Sequence, residues 1–370
     1  MIKKFTKRTS LLLASLAVAL AACIPQLSIF HETKISPPFQ IDLPNGLPKH
    51  TIFTLCHLGE TVTIIDADTW TIAGYITHPE ILSTADLALS DQKILYLTRD
   101  GDLGEVSETL IPIDLKTGEI LDYVVLSQAP YRIAISKSGI AVVTHVAILD
   151  DGQTEVSFVD THTNHRISTL VVHGSVTYVA TKSHYAYILV TAWTPMQENH
   201  LLVYDLDELR VKRKYELPPG VIPLDGNFIV GKDKMFYVSF DENASQHKYK
   251  IKYKIIELHM GSGRVRVVAD LPTAGELGLL SNGNLLVSAG GYDPNAPLRL
   301  INTSNGKIMK ELFVGSNTNV VQSLRKDIFA INAEENNALV IVDGRNLKVI
   351  HRIINPCKPF ILRMHFAEID

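Results

Sequence analysis

The sequence lacks the short motifs that mark many catalytic and cofactor sites. It contains no Gly-x-Ser-x-Gly, no His-Glu-x-x-His, no glycine-rich phosphate loop with lysine, and no Cys-x-x-Cys-His. These absences argue against common serine hydrolases, zinc proteases, nucleotide-binding proteins and covalent haem proteins. Among His57, His145 and His200, which end or open predicted strands, no two have the spacing that one helix or hairpin uses for zinc. We therefore expect no catalytic residue, metal or cofactor.

Cysteine, tryptophan and positive charge are also scarce. The 370 residues include three cysteines and two tryptophans. Residues 1–22 hold four of the 35 basic residues and no acidic ones, so the remaining 31 basic and 39 acidic residues give a net charge of −8. A nucleic-acid partner is disfavoured by this sign.

The N-terminal segment has the pattern of an export signal. Four basic residues precede an apolar run of 12 residues, Leu11 to Ala22, which is too short to span a bilayer. The following Leu20-Ala21-Ala22-Cys23 resembles the lipobox of bacterial lipoproteins. This resemblance implies that Cys23 is lipidated and becomes the mature N-terminus. An ordinary signal peptide with an incidental cysteine is the alternative.

The chain divides into three parts on this interpretation. Residues 1–22 are a signal peptide, residues 23–50 are the lipid anchor with a proline-containing tether, and residues 51–370 are the folded domain. The protein is then expected in the cell envelope. In the lipoprotein family, Ile24 after the cysteine would imply the outer membrane of a Gram-negative cell.

A short turn motif recurs along the domain. Two apolar residues precede an acidic or amide residue that stands at Asp66, Asp114, Asp160, Asp205, Glu257, Asn302 and Asp343. The successive intervals of 48, 46, 45, 52, 45 and 41 residues match the length of one four-stranded propeller blade. Short β-rich runs and the absence of long helical periodicity indicate an all-β class. The sequence therefore predicts a seven-bladed β-propeller with four-stranded blades.

A second recurring pattern supports this fold. The second strand of six copies ends at Tyr96–Arg99, Val142–His145, Leu189–Ala192, Tyr237–Phe240, Leu286–Ala289 and, more loosely, Ala330–Ala333. Over residues 51–370 the chain resembles the YVTN-repeat propellers, although the copies are longer and copy five, with Glu257 in place of aspartate, is the weakest. A short hydroxyl residue near the end of the second strand, such as Thr98 or Thr144, can satisfy backbone groups where the strand ends.

Ring closure predicts the arrangement of the termini. The first copy begins at Thr51 with a second strand, whereas Pro359 to Ile369 matches a first strand that has no successor. We expect the C-terminal strand to complete the N-terminal blade, because closure removes exposed strand edges. This would place Cys357 beside Cys56, where an oxidising compartment favours a disulfide. Two buried free thiols are the alternative.

The long loops between second and third strands are the predicted binding region. They are rich in acidic residues, so we expect an acidic channel mouth, with basic residues such as Lys93, Lys137 and Lys182 on the opposite face. Ordinary solvated loops would look the same. The candidate binding residues at the mouth are His145, Asp150, Asp151, Trp193, Tyr292 and Asp293.

These features favour a non-enzymatic binding or scaffold module for an envelope protein, peptide or glycan. The alternative is a propeller enzyme, either a lactonase-like hydrolase or a metal-assisted lyase. Its polar cluster inside the channel would draw on His145, Asp150, Arg132 and His365. A purely structural envelope component is a third possibility. Co-purification would distinguish it, whereas the sequence does not.

Overall fold

The computed structural model describes residues 39–56, 59–99, 108–145, 152–192, 199–218, 221–241, 253–290, 295–357 and 361–369. Regular structure in these residues is β-strand, apart from 3₁₀ turns at Pro79–Ser83 and Glu334–Asn336. Within these ranges no helix has the length and apolar character needed to cross a bilayer.

The strands form seven antiparallel sheets, named blades I to VII. Blade I contains β1 (Gln40–Asp42), β2 (His50–Cys56), β3 (Thr61–Asp66), β4 (Thr71–Thr77) and β29 (Ile361–Glu368), and blade II contains β5 (Thr84–Leu89), β6 (Ile94–Arg99), β7 (Thr109–Asp114) and β8 (Val124–Val125). Blade III contains β9 (Pro130–Ile135), β10 (Ile140–His145), β11 (Gln153–Asp160) and β12 (His165–His173), and blade IV contains β13 (Ser175–Lys182), β14 (Tyr185–Thr191), β15 (His200–Asp205) and β16 (Arg210–Glu216). Blade V contains β17 (Val221–Val230), β18 (Lys234–Asp241), β19 (Tyr253–His259) and β20 (Val265–Leu271). Blade VI contains β21 (Leu277–Leu279), β22 (Leu285–Val287), β23 (Leu298–Ile301) and β24 (Ile308–Leu312), and blade VII contains β25 (Val321–Arg325), β26 (Ile328–Ala333), β27 (Ala338–Asp343) and β28 (Lys348–Ile354).

The seven first strands surround a central channel. In ring order they are β5, β9, β13, β17, β21, β25 and β29, and each packs beside the next. Between blades, the strand faces bury clusters of aliphatic and aromatic side chains. The predicted seven-bladed propeller is confirmed.

The C-terminal strand closes the ring as predicted. Strand β29 pairs with β2 from His50 opposite Glu368 to Cys56 opposite Ile361. A disulfide joins Cys56 to Cys357, with their Cα atoms 5.2 Å apart. In the chain-entropy model a bridge closing so long a loop stabilises the fold by up to about 5 kcal/mol.

The first described residues are docked on blade I, in contrast to the tether expected over residues 23–50. Strand β1 pairs with the outer strand β4, and the Phe39 ring stacks on His78 with centroids 3.9 Å apart. Gly74 permits this contact, because a Cβ there would lie 2.0 Å from the Asp42 carbonyl oxygen. The part of the predicted tether that precedes residue 39 lies outside the described residues.

The recurring turn motif links the third and fourth strands of each blade. The motif side chain accepts a hydrogen bond from the backbone N–H two residues later, at 2.8 Å for Asp66, 2.7 Å for Asp114 and 2.9 Å for Asp160. This Asx-type turn stabilises the reversal of the chain. Four residues after the motif position, the backbone is left-handed in every blade, at Trp70, Gly118, Asn164, Leu209, Gly263, Gly306 and Leu347.

This regularity corrects the register of blade V. In blade II the motif residue Asp114 pairs with Ile94, the first residue of the second strand. The residue with the equivalent pairing in blade V is His259, opposite Lys234, so the predicted motif residue Glu257 lies two residues too early. His259 also accepts a hydrogen bond, at 3.2 Å, from Ser262 N–H. Glu257 instead occupies a buried position and accepts hydrogen bonds from the Arg266 guanidinium at 3.0 and 2.6 Å.

The hydroxyl or amide residue near the end of the second strand joins neighbouring blades. Thr98 Oγ1 accepts from Asp86 N–H at 2.8 Å and contacts the Tyr131 carbonyl oxygen of blade III at 3.0 Å. Asn332 in blade VII donates to the Ile361 carbonyl oxygen of blade I at 3.4 Å. The predicted role of this position is thereby extended from one strand end to the contact between blades.

Replacement of Leu209 by glycine should stabilise the protein. Leu209 has φ of 50°, is 37% exposed and lies outside the hydrophobic clusters of its blade, so glycine removes backbone strain at a smaller cost in packing than at a core position. We expect a gain of up to about 1 kcal/mol in the free energy of unfolding, measured by chemical denaturation.

The matched control is Leu347→Gly. Leu347 has φ of 48° but is 7% exposed and packs in the core, so the same substitution should destabilise the protein. A loss of stability in Leu209→Gly would contradict the strain argument.

Candidate functional site in the central channel

The central channel contains a polar cavity of about 170 Å³. Each of the seven first strands, or the residues beside it, contributes to its wall. The lining residues are Asp86, Arg132, Tyr178, Ile229, Glu276, Leu277, Val320, Val321, Gln322, Ser323, Arg363 and Met364.

Irregularities in the first strands place several of these side chains. The pairing of β5 with β6 shifts between Thr84 and Asp86, and that of β13 with β14 shifts between Val176 and Tyr178. A similar shift precedes Arg363 in β29. Bulges of this kind redirect side chains, and they are common beside functional sites.

Asp86 connects blade II to blade III. Its carboxylate accepts hydrogen bonds from Leu87 N–H at 2.9 Å and from Ile133 N–H at 3.2 Å. Burial in the narrow channel raises the pKa of Asp86 to about 6, despite the opposing effect of nearby Arg132.

Arg132 supplies positive charge to the same wall. Its side chain lies over the ring of Tyr131, with 4.2 Å from the guanidinium carbon to the ring centroid, and donates to the Tyr131 hydroxyl at 3.0 Å. The residue is 2% exposed. Asp86 and Arg132 therefore form a charged pair of opposite sign within the channel.

Glu276 and Arg363 form a second charged pair. Arg363 NH1 donates to Glu276 Oε1 at 3.3 Å, and Glu276 Oε2 accepts from Val321 N–H of blade VII at 2.9 Å. The Nε atom of Arg363 is buried and has no hydrogen-bond partner among the described residues. This guanidinium therefore retains donor capacity inside the channel.

Charged residues from both pairs, Asp86 with Arg132 and Glu276 with Arg363, act on Tyr178. The pKa of its hydroxyl is raised, first by burial and then by the charges of Glu276 and Asp86, while Arg132 opposes the shift. One phenol thus lies within the fields of carboxylates from blades II and VI. The channel residues form one electrostatic unit.

His365 lies on the same closing strand. Its Nε2 accepts a hydrogen bond from Leu89 N–H at 3.3 Å, and burial lowers its pKa to about 4. It is therefore neutral at physiological pH. A neutral ring that already accepts a backbone proton is poorly suited to acid catalysis.

Of the six predicted mouth residues, only His145 falls within the described part of the chain. It is 1% exposed, its Nδ1 donates to the Gln128 carbonyl oxygen at 2.8 Å, and its Nε2 accepts from the Ser157 hydroxyl at 2.9 Å. Burial lowers its pKa. Both ring nitrogens are engaged inside blade III. The other five, Asp150, Asp151, Trp193, Tyr292 and Asp293, lie outside the described residues.

The face expected to be basic carries both signs of charge. The turns after the third strands carry acidic motif residues such as Asp114. A backbone hydrogen bond from Leu115 N–H to the Lys93 carbonyl oxygen, 3.1 Å, holds one of these turns beside a lysine-bearing turn. Arg325 also pairs with Asp68 at 3.0 Å across blades VII and I. Most of the predicted acidic loops on the other face lie outside the described residues.

The described residues contain no group of three or more histidine, cysteine, aspartate or glutamate side chains arranged to hold a metal ion. Sequence reasoning identified Arg132 and His365 as possible channel residues but missed Asp86, Tyr178, Glu276 and Arg363. For Asp86 and Glu276 the available signal was an acidic residue within or just before a largely apolar first strand.

Comparisons with known proteins identify the fold. No family model matches the chain, and no curated protein matches it in sequence. A protein of unknown function from Desulfotomaculum acetoxidans is similar with a TM-score of 0.62 and 13% identity, covering 86% of this chain and 99% of that one.

Two further solved structures share the architecture. Apo AztD from Citrobacter koseri has a TM-score of 0.52 and 12% identity, covering 86% of this chain and 98% of its own. Hydrazine synthase from Kuenenia stuttgartiensis has a TM-score of 0.54 and 12% identity, covering 77% and 95%. At these identities the likeness shows the propeller fold alone.

Replacement of Asp86 by asparagine should change how stability depends on pH. The pKa of Asp86 is about 6 in the folded protein, above its ordinary value of 3.8. The contribution of Asp86 to the free energy of unfolding is therefore fully present below about pH 4 and is lost as the pH rises through 6. Relative to the native protein, Asp86→Asn should gain up to about 3 kcal/mol between pH 4 and 7.5.

Denaturant unfolding at several pH values measures this difference. The exposed Asp122→Asn is the matched control and should show little change with pH relative to the native protein. A constant offset between native protein and Asp86→Asn at all pH values would contradict the assignment.

Proposed function

We propose that this chain is a lipid-anchored propeller of the cell envelope that binds a protein, peptide or glycan without catalysing a reaction. The observation that carries the proposal is the polar channel, where charges from blades I, II, III and VI converge on one small cavity. Concave sites with a few converging polar groups are the usual form of a binding site.

The chemistry of the channel favours binding over catalysis. Arg132 and His365 are the channel residues that an enzyme would have to use. Arg132 donates to the Tyr131 hydroxyl, and burial keeps His365 neutral by lowering its pKa. His145 is engaged by Gln128 and Ser157. A general acid or base needs a free proton site near its reacting group. These three side chains are better explained as structural or binding groups.

Docking of β1 on blade I would shorten the anchor. Cys23 and Phe39 are 16 positions apart, so a lipidated Cys23 would hold the propeller within about 55 Å of the membrane even when the segment is fully extended. The YVTN-type repeat and the lipobox support an exported protein of this kind. We place it at the outer membrane if the cell is Gram-negative.

Substitution of Cys23 should release the protein from the membrane. Acyl chains at this residue would anchor the chain, and no helix in the described residues is long and apolar enough to span a bilayer. We expect Cys23→Ser to move the protein from the membrane fraction to the soluble fraction, as measured by immunoblotting. Ser28→Ala is the control. Because Cys23→Ser also retains the apolar signal segment, both variants are labelled with radioactive palmitate, and native labelling of Cys23→Ser would refute lipid anchoring.

The binding role is tested by in-cell crosslinking and identification of the captured envelope component. Trp193→Ala combined with Tyr292→Ala should reduce capture by about tenfold or more if these aromatic residues anchor the partner. The matched control is Tyr75→Ala combined with Phe313→Ala, because Tyr75 on β4 and Phe313 directly after β24 are 38% and 54% exposed. Equal capture by both double variants would remove the mouth aromatics from the proposal.

A further inference from the structure

Arg363 has an unsatisfied hydrogen-bond donor, which indicates the kind of ligand that the channel binds. Arg363 donates through NH1 to Glu276, whereas its buried Nε has no acceptor among the described residues. A buried charged donor without an acceptor is costly, so such groups commonly mark the position of a missing partner. The partner must be a hydrogen-bond acceptor.

A carboxylate suits this position better than other acceptors. The guanidinium group has a planar fork of donors that matches two carboxylate oxygens. Arg132 adds a second positive charge to the same cavity and is 2% exposed. Asp86 and Glu276 also face the cavity, but each already accepts a backbone N–H from the neighbouring blade.

The size of the cavity limits what can enter. Its volume of about 170 Å³ is smaller than the roughly 300–1,000 Å³ of pockets that enclose drug-sized ligands. A small organic acid, or the terminal residue of a peptide, is of suitable size. The Tyr178 hydroxyl and Gln322 line the same cavity and can contact the remaining polar atoms of such a ligand.

We propose that the central channel binds a carboxylate group at Arg363, presented either by a free small organic acid or by the C-terminus of a peptide. This inference rests on the proposed binding function and names the chemistry recognised in the channel. Opposite-charge pairing with Glu276 holds the guanidinium in place before the ligand enters.

Calorimetric titration of the full chain separates the two sources. The probes are lactate and triglycine, with lactamide and C-terminally amidated triglycine as matched neutral compounds. We expect heat of binding from at least one carboxylate and from neither amide. Binding of triglycine alone indicates a peptide terminus, and binding of lactate alone indicates a free acid. Absence of binding by both carboxylates, or equal binding by the amides, overturns the inference.

Two variants test the role of Arg363. Arg363→Lys keeps the charge but loses the donor fork, so carboxylate affinity should fall by about tenfold or more. Arg210→Lys, at an exposed position on the outer strand β16, is the matched control. Native affinity in Arg363→Lys, or an equal loss of affinity in Arg210→Lys, would refute the assignment.

The outcome is independent of the crosslinking experiment on Trp193 and Tyr292. Capture of an envelope partner without carboxylate binding would refute the inference and leave the proposed function standing. Carboxylate binding without a captured macromolecule would support the inference and restrict the protein to small ligands.

Discussion

Pairing of the C-terminal strand with the N-terminal blade is the constraint on which the rest of the structure depends. Without β29 beside β2, blade I would have no first strand and the channel would open along one side. The disulfide between Cys56 and Cys357 fixes this closure covalently. The same strand carries Arg363, so ring closure and the candidate site depend on one interaction.

Inside the ring, buried charge is tolerated because it is compensated locally. Asp86 and Glu276 each accept a backbone N–H from the next blade, at Ile133 and Val321, and each has an arginine nearby. Two blades thus use the same device. It satisfies backbone N–H groups of first strands, which have a paired strand on one side only. It also holds the charged groups in the fixed geometry that selective binding requires.

Periodic features were the most predictable from the sequence. Apolar runs ending in Asp66 or Asp160 predicted both the strands and the turns, because the Asx turn is a local interaction. Blade V was misread by two residues, since His259 replaces aspartate at the turn while Glu257 imitates the motif. Its Glu257 is stabilised by Arg266, a contact that pattern alone does not reveal.

The sequence by itself determined the all-β class, the seven repeats, the ring closure and the cysteine pair, because each follows from strand periodicity or from the need to remove open edges. Only the tertiary structure decided which side chains meet in the channel. Asp86, Glu276 and Arg363 come from positions up to 277 residues apart, and their approach depends on blade geometry and strand bulges. His145, which looked available in sequence, is instead sealed inside blade III, because burial depends on the neighbouring strands.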